Sequence, residues 1–215
     1  MDRLKQHVAD AALDHLERVT ILGVGTGTTI TYFIQALSRI KHRIDGCVAS
    51  SNATEAQLKA AGLPVISLAS ADPLDLYVDG ADEVTRHRSM IKGGGGALTR
   101  EKIIANAASK FICLVDESKL VRRLGVFPVA VEVLPMARSF VARALVKLGG
   151  DPIYREGFVT DNGNHILDVH NLNLDEPMAM EDAIKLIPGV VENGIFAKRS
   201  ADQVMIARAH GIDVF

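Results

Sequence analysis

Three short segments hold residue types that suit chemistry. The most informative is Lys92-Gly-Gly-Gly-Gly-Ala-Leu-Thr-Arg-Glu-Lys102. Four consecutive glycines lose the most backbone freedom on ordering, so a structural role alone explains them poorly. Such a run lets the backbone approach a ligand more closely than any Cβ permits. Glu101 falls near the start of the helix predicted to follow. There the helix dipole favours the ionised carboxylate that a general base requires.

The second segment, Gly23-Val-Gly-Thr-Gly-Thr-Thr29, runs from a predicted strand into a predicted helix. Its glycines allow a sharp turn and its amides join a helix N-terminus, which together make an anion site; the hydroxyls of Thr26, Thr28 and Thr29 add donors. A tight turn with nothing bound is an equally good reading of this motif by itself. A dinucleotide site fits worse: the spacing is G-x-G-x-G, and the next strand ends in Ala49-Ser50-Ser51 without an acidic residue for a ribose. The third segment is Asp79-Gly80-Ala81-Asp82-Glu83. Two carboxylates three residues apart at a strand end suit acid/base work on hydroxyl groups or metal binding. The metal reading is weaker, because no histidine has a convincing ligand spacing to them. Asp116-Glu-Ser-Lys119 also follows a predicted strand, and spacing leaves open whether Lys119 faces a ligand or solvent.

The elements that must position these segments alternate. Apolar periodicity predicts an opening helix over Leu4–Leu16, then strand Val19–Leu22, a helix through Ile30–Leu37, strand Ile44–Ala49 and helix Ser51–Ala61 closed by Gly62. Strands Pro64–Leu68 and Leu74–Val78, a helix over Thr99–Ala108 and strand Phe111–Val115 follow. This is an α/β pattern with a mostly parallel, Rossmann-like sheet. From Gly125 the order changes to strand Phe127–Leu134, helix Arg138–Leu148, strands Ile153–Thr160 and His165–Asn171, helix Pro177–Leu186 and strand Val190–Ala197. Asp161-Asn-Gly-Asn marks a hairpin between the middle strands. The order βαββαβ describes a smaller ferredoxin-like lobe over 127–199, with 1–126 and 200–215 forming the α/β catalytic domain. Strand Gln203–Ala209 returns to the first sheet. The loops at 23–29, 50–55, 79–83 and 116–119 all follow predicted parallel strands, so they converge on the carboxyl edge where open α/β sheets bind ligands.

Of 215 residues, 48% are hydrophobic and 23% charged, a globular composition; the formal net charge of -2 gives no global attraction for nucleic acid or an anionic membrane. Any phosphorylated ligand must be captured locally. The chain shows neither a membrane-length apolar run nor a signal-peptide core, and its two cysteines, Cys47 and Cys113, sit in apolar segments as buried thiols, which points to the cytoplasm.

The motifs at 23–29, 79–83, 92–102 and 116–119, joined by Phe127–Ala137, Asp161–Asn164 and Ile187–Ala197, together resemble the ribose-5-phosphate isomerases of the A type, in order and over nearly the whole chain. The resemblance implies an aldose–ketose isomerase of the non-oxidative pentose phosphate pathway. It would interconvert D-ribose 5-phosphate and D-ribulose 5-phosphate through an ene-diolate, without a metal or organic cofactor. It implies Glu101 as the base moving a proton between C2 and C1, Asp79 in ring opening and proton shuttling, and Asp82 on sugar hydroxyls. Lys92 and the amides of Gly93, Gly94 and Gly95 would steady the oxyanion. Thr26, Gly27, Thr28 and Thr29 would hold the phosphate, with Gly80 and Ala81 lining the substrate, Lys119 binding it and Lys5 a weaker match. Thr28 stands where the family usually has Ser; the hydroxyl survives, but the added methyl tightens the loop. The family implies a homo-oligomer, a dimer first. A sugar-phosphate sensor without turnover is the competing expectation, although it would not need Glu101 and the sequence offers no DNA-reading motif.

Overall fold

The opening apolar period builds α1 (Asp2–Ala11), which buries Val8 and Ala9 and tightens into a 3-10 turn over Ala12–Leu16. This computed structural model describes residues 2–71 and 73–215. β1 (Ile21–Val24) leads into α2 (Thr28–Ser38), whose Ile30, Phe33, Ile34 and Leu37 form one buried stripe. β2 (Gly46–Ala49) and α3 (Asn52–Ala60) follow; the Ser51 hydroxyl caps α3 by accepting the Thr54 N–H at 3.0 Å. Next come β3 (Leu74–Asp79), β4 (Glu83–Val84), β5 (Met90–Ile91), α4 (Leu98–Ala107) and β6 (Ala108–Asp116). The remaining elements are β7 (Val129–Val133), α5 (Arg138–Lys147), β8 (Asp151–Tyr154), β9 (His165–His170), α6 (Pro177–Lys185), β10 (Val190–Asn193), β11 (Ile195–Phe196), β12 (Gln203–Arg208) and β13 (Gly211–Val214).

The chain divides into two compact units. The first holds Met1–Ala81, Arg100–Leu120 and Ala201–Phe215; the second holds Asp82–Thr99 and Val121–Ser200. The segments 82–99 and 121–126, together with Ser200, which the sequence grouped with the α/β domain, therefore lie in the second unit.

In the first unit a six-stranded sheet runs β13-β12-β6-β3-β1-β2, with every pair parallel except β12–β13. Its five parallel strands follow the flavodoxin-type order rather than the order of dinucleotide-binding sheets. The strand order reverses at β1/β3, and the ends of those strands flank the crevice where ligands bind in such folds. The core beneath includes Leu22, Val24, Phe33, Leu37, Val78 and Ile112, all buried.

In the second unit the antiparallel order β10-β7-β9-β8, with α5 and α6, reproduces the ferredoxin-like arrangement. Val131, Val141, Leu145, Leu167 and Ile184 fill its core. A small sheet, β11-β5-β4, completes this unit.

Several elements depart from the sequence reading. Pro64–Leu68 forms only one bridge, Val65 to Cys47, before a 3-10 turn at Leu68–Ser70. The strand expected over Ile153–Thr160 stops at Tyr154, and Gly157 adopts φ +69, incompatible with an extended run. The hairpin turn itself is present: Thr160 N–H bonds the Asn164 carbonyl at 2.9 Å, and Gly163 (φ +79) donates to the Thr160 carbonyl. With Asn162 outside the left-handed region, this is a bulged turn instead of the two-residue Asn-Gly type. Val190–Ala197 breaks at Gly194, where an added Cβ would lie 2.1 Å from the Lys92 carbonyl oxygen.

Candidate active site

In the first unit the site begins where β1 ends. Gly25 donates to the Val78 carbonyl at 2.9 Å, so the loop after β1 is laced to β3. The Asp79 carboxylate, fully buried, accepts the Thr26 N–H at 3.0 Å and the Gly80 N–H at 2.7 Å on Oδ1, while the Tyr77 hydroxyl donates to Oδ2. A Cβ on Gly25 would fall 1.9 Å from Asp79 Oδ1, so only glycine lets the loop meet this carboxylate. Tyr77 and Asp79 are two residues apart on one strand and share a face. The Tyr77 phenol is held well above its ordinary range by burial first, then by the Asp79 and Glu101 charges and its bond to Asp79; a hydrogen bond with Ser50 acts the other way.

The Thr26 hydroxyl joins a cluster of its own kind: Ser50 Oγ at 2.7 Å, Ser51 Oγ at 2.9 Å and Thr54 Oγ1 at 3.2 Å. Thr54 in turn donates to the Gly25 carbonyl at 2.7 Å. Thr26 is thus spent on building the loop, both by its hydroxyl and by its backbone N–H. Gly27, at φ +119, precedes α2 and offers no side-chain cap, so the first amides of α2, at Thr28 and Thr29, form an uncapped helix N-terminus. The Lys5 ammonium reaches Thr28 Oγ1 at 2.8 Å, bringing a cation to those amides.

Glu101 lies in the first turn of α4 and is 4% exposed. Its charge is felt at the Tyr77 phenol, which links it to the Asp79 cluster. At the end of β6, Asp116 caps a 3-10 turn through the Ser118 N–H at 3.0 Å, and that turn carries a half-buried Lys119. Gly80 and Ala81 continue from Asp79 as the last residues of this segment of the unit.

In the second unit Asp82 donates its N–H to the Ile91 carbonyl at 2.9 Å, and its Oδ2 accepts the Gly94 N–H at 2.8 Å. Lys92 is buried, its N–H on the Gly194 carbonyl at 2.9 Å and its ammonium 5.6 Å from the Phe196 ring centroid. Gly93–Gly96 form a turn closed by the Gly96 N–H on the Gly93 carbonyl at 2.9 Å. The protein itself demands glycine here. A Cβ on Gly96 would meet Phe158 Cζ at 2.2 Å, and one on Gly93 would meet Ala130 Cβ at 2.8 Å. The expectation that structure alone explains these glycines poorly is therefore corrected at both positions.

Sequence reasoning missed the supports of this loop. The Arg155 guanidinium donates to the carbonyls of Gly93 and Gly94 at 3.2 Å and pairs with Asp168, its Nε lying 2.8 Å from Oδ2. Glu132, fully buried, accepts from the hydroxyls of Thr99 and Thr160 and from the amides of Asn162 and Asn164. The Glu83 carboxylate accepts the N–H groups of Gly125 and Phe127. These contacts join residues up to 62 positions apart, which no spacing rule reveals. Tyr77 was missed as well; its alternation with Asp79 on β3 is the signal that points to it. Among the described residues, no group of three His, Cys, Asp or Glu is placed to hold a metal ion.

A doubly wound sheet with an uncapped helix N-terminus and a pinned, buried carboxylate at its switch point defines the class of open α/β proteins that bind ligands at the carboxyl edge of the sheet. The family model of ribose 5-phosphate isomerase A (phosphoriboisomerase A) matches residues 46–211. The chain belongs to that family. It is 65% identical over 213 residues to the ribose-5-phosphate isomerase A of Legionella pneumophila strain Corby, covering 99% of each chain. Among solved structures, ribose 5-phosphate isomerase A from Neisseria gonorrhoeae superposes with a TM-score of 0.97 at 46% identity, over 100% of this chain and 96% of that one. A D-ribose-5-phosphate isomerase in complex with phospho-erythronic acid superposes at 0.95 and 38% identity, over 100% and 98%.

Proposed function

We propose that this chain interconverts D-ribose 5-phosphate and D-ribulose 5-phosphate by proton transfer through an ene-diolate. Beside family membership, the supporting observation is Asp79. One carboxylate ties the anion-binding loop after β1 to the end of β3, and its partner Tyr77 feels the charge of Glu101. Binding of a phosphate and proton transfer are thereby built from one network.

In this proposal the amides of Gly27, Thr28 and Thr29 at the start of α2, with Lys5, take the phosphate; Thr26 shapes their loop. Glu101 removes the C2 proton of the open-chain aldose, the C1=O π electrons move onto O1, and the same carboxylic acid returns the proton to C1. Asp79 assists ring opening and the O1/O2 proton shuttle. Asp82 binds sugar hydroxyls, and Lys92 with the amides of Gly93–Gly95 stabilises the developing oxyanion. Gly80 and Ala81 border the substrate, and Lys119 contacts it. Phospho-erythronic acid, bound to the solved relative, carries a planar carboxylate on a short phosphorylated chain, the shape of an ene-diolate head. None of these steps calls for a metal or organic cofactor.

The test is incubation of the pure protein with ribose 5-phosphate, with and without a chelator, following ketose formation. Ketose in both arms is expected. Its absence from both would overturn the proposal, and binding without turnover would indicate the sensor. Loss only with chelator would assign the carboxylates to a metal. We also propose a cytoplasmic homodimer with no nucleic-acid or membrane partner; no helix among the described residues is long and apolar enough to cross a membrane.

A further inference from the structure

We propose that Arg155 is the positioning residue that aims the amides of the glycine run, an inference that rests on the oxyanion role proposed for those amides. Four glycines in a row have the widest backbone freedom of any tetrapeptide, so a loop of them presents fixed donors only if something else fixes its peptide planes. Arg155 does this directly. Its Nη1 and Nη2 donate to the Gly93 carbonyl, and Nη1 also to the Gly94 carbonyl, all at 3.2 Å. In a trans peptide the carbonyl of one residue and the N–H of the next point in opposite directions. Fixing the Gly93 and Gly94 carbonyls therefore aims the N–H groups of Gly94 and Gly95 away from the guanidinium.

The side to which they point accepts negative oxygen. The Gly94 N–H already meets one there, Asp82 Oδ2, at 2.8 Å. The Gly95 N–H next to it has no hydrogen-bond partner among the described residues.

Arg155 is itself held rigidly. Asp168, on β9, takes its Nε and Nη2, and its guanidinium stacks 5.3 Å from the Phe158 ring centroid. That ring abuts Gly96 at the end of the turn. Asp168 also neutralises the guanidinium, so Arg155 orients and polarises the two peptides without itself competing for the anion. A planar fork that bridges two carbonyls and a carboxylate has no substitute in lysine, whose point charge can satisfy one of these at a time.

The experiment compares steady-state kinetics of wild type, Arg155→Ala, Arg155→Lys and Asp168→Asn on ribose 5-phosphate, each corrected for its folded fraction by circular dichroism. Loss of donor alignment at a developing charge costs about 10- to 100-fold, and because it acts in the transition state it appears in kcat. The expected order of loss is Arg155→Ala, then Arg155→Lys at no less than about 5-fold, then Asp168→Asn, with KM within about 2-fold throughout. If Arg155→Ala fails to fold, Arg155→Lys decides. The proposal is overturned if folded Arg155→Lys keeps wild-type kcat, or if the whole effect lies in KM or in the folded fraction. A wild-type protein without turnover would instead reject the isomerase reading beneath it.

Discussion

Glu101 and Tyr77 are both buried beside the carboxyl edge of the first sheet, and each carries a separate prediction. The glutamate sits in the first turn of α4 and is nearly sealed from solvent. Replacing it by glutamine keeps the shape and removes the base proposed above. Since general-base catalysis contributes about 10²- to 10⁴-fold, Glu101→Gln should lower kcat by about 10³-fold with KM little changed. Steady-state kinetics on ribose 5-phosphate check this, and an active variant would remove Glu101 from its role.

Tyr77 contributes differently. Its hydroxyl donates to a buried carboxylate, so Tyr77→Phe should cost about 2 kcal/mol at neutral pH. The phenol is held above its ordinary value in the folded state. Its contribution is therefore complete below the unfolded value of about 10 and is lost as pH rises through and beyond it. Urea denaturation at pH 7 and pH 11 should show the gap between wild type and Tyr77→Phe narrowing at the higher pH; a gap that widened would contradict the assignment.

At the scale of elements, the glycine turn is a packed object. Gly96 combines φ +77 with a Phe158 ring atom 2.2 Å from where a Cβ would stand, while Gly163, at φ +79, has nothing within 4 Å. Gly96→Ala should thus cost about 2–4 kcal/mol, from overlap and strain together, and Gly163→Ala about 1 kcal/mol from strain alone. Chemical denaturation of the two variants separates the terms, and equal losses would refute the packing argument. Long periodic elements were legible in the sequence because their core faces repeat: the Ile30–Leu37 stripe of α2 and the βαββαβ order both reappear in space. β4 and β5, two residues each, carry no period at all. Pro64–Leu68 looked apolar enough for a strand, but its pairing stops at Val65. The candidate site was half legible. Asp79 and Glu101 stood out by position, whereas Arg155 and Glu132 act through partners distant in sequence.

The whole molecule distributes its apolar surface unevenly. Of eleven large hydrophobic side chains exposed on the described surface, nine belong to the second unit, including Met136 at 94% and Phe140 at 50%. An exposed set of this kind suits self-association. Light scattering after gel filtration should give twice the 23.1 kDa chain mass, and the double substitution Met136→Glu, Phe140→Glu should shift it toward one chain. A wild-type mass of one chain would exclude the dimer.

β12 enters the first sheet beside β6, although residues 121–200 separate them. A ribosome therefore delivers the entire ferredoxin-like insert before the strand that covers β6. Until residue 208 has emerged, β6 stands as a bare, nine-residue, mostly buried-type edge, open to pairing with any neighbouring nascent chain. Premature termination near residue 200 would thus leave a chain whose second unit has its full sequence but whose first sheet is sticky, a product for chaperones rather than for metabolism.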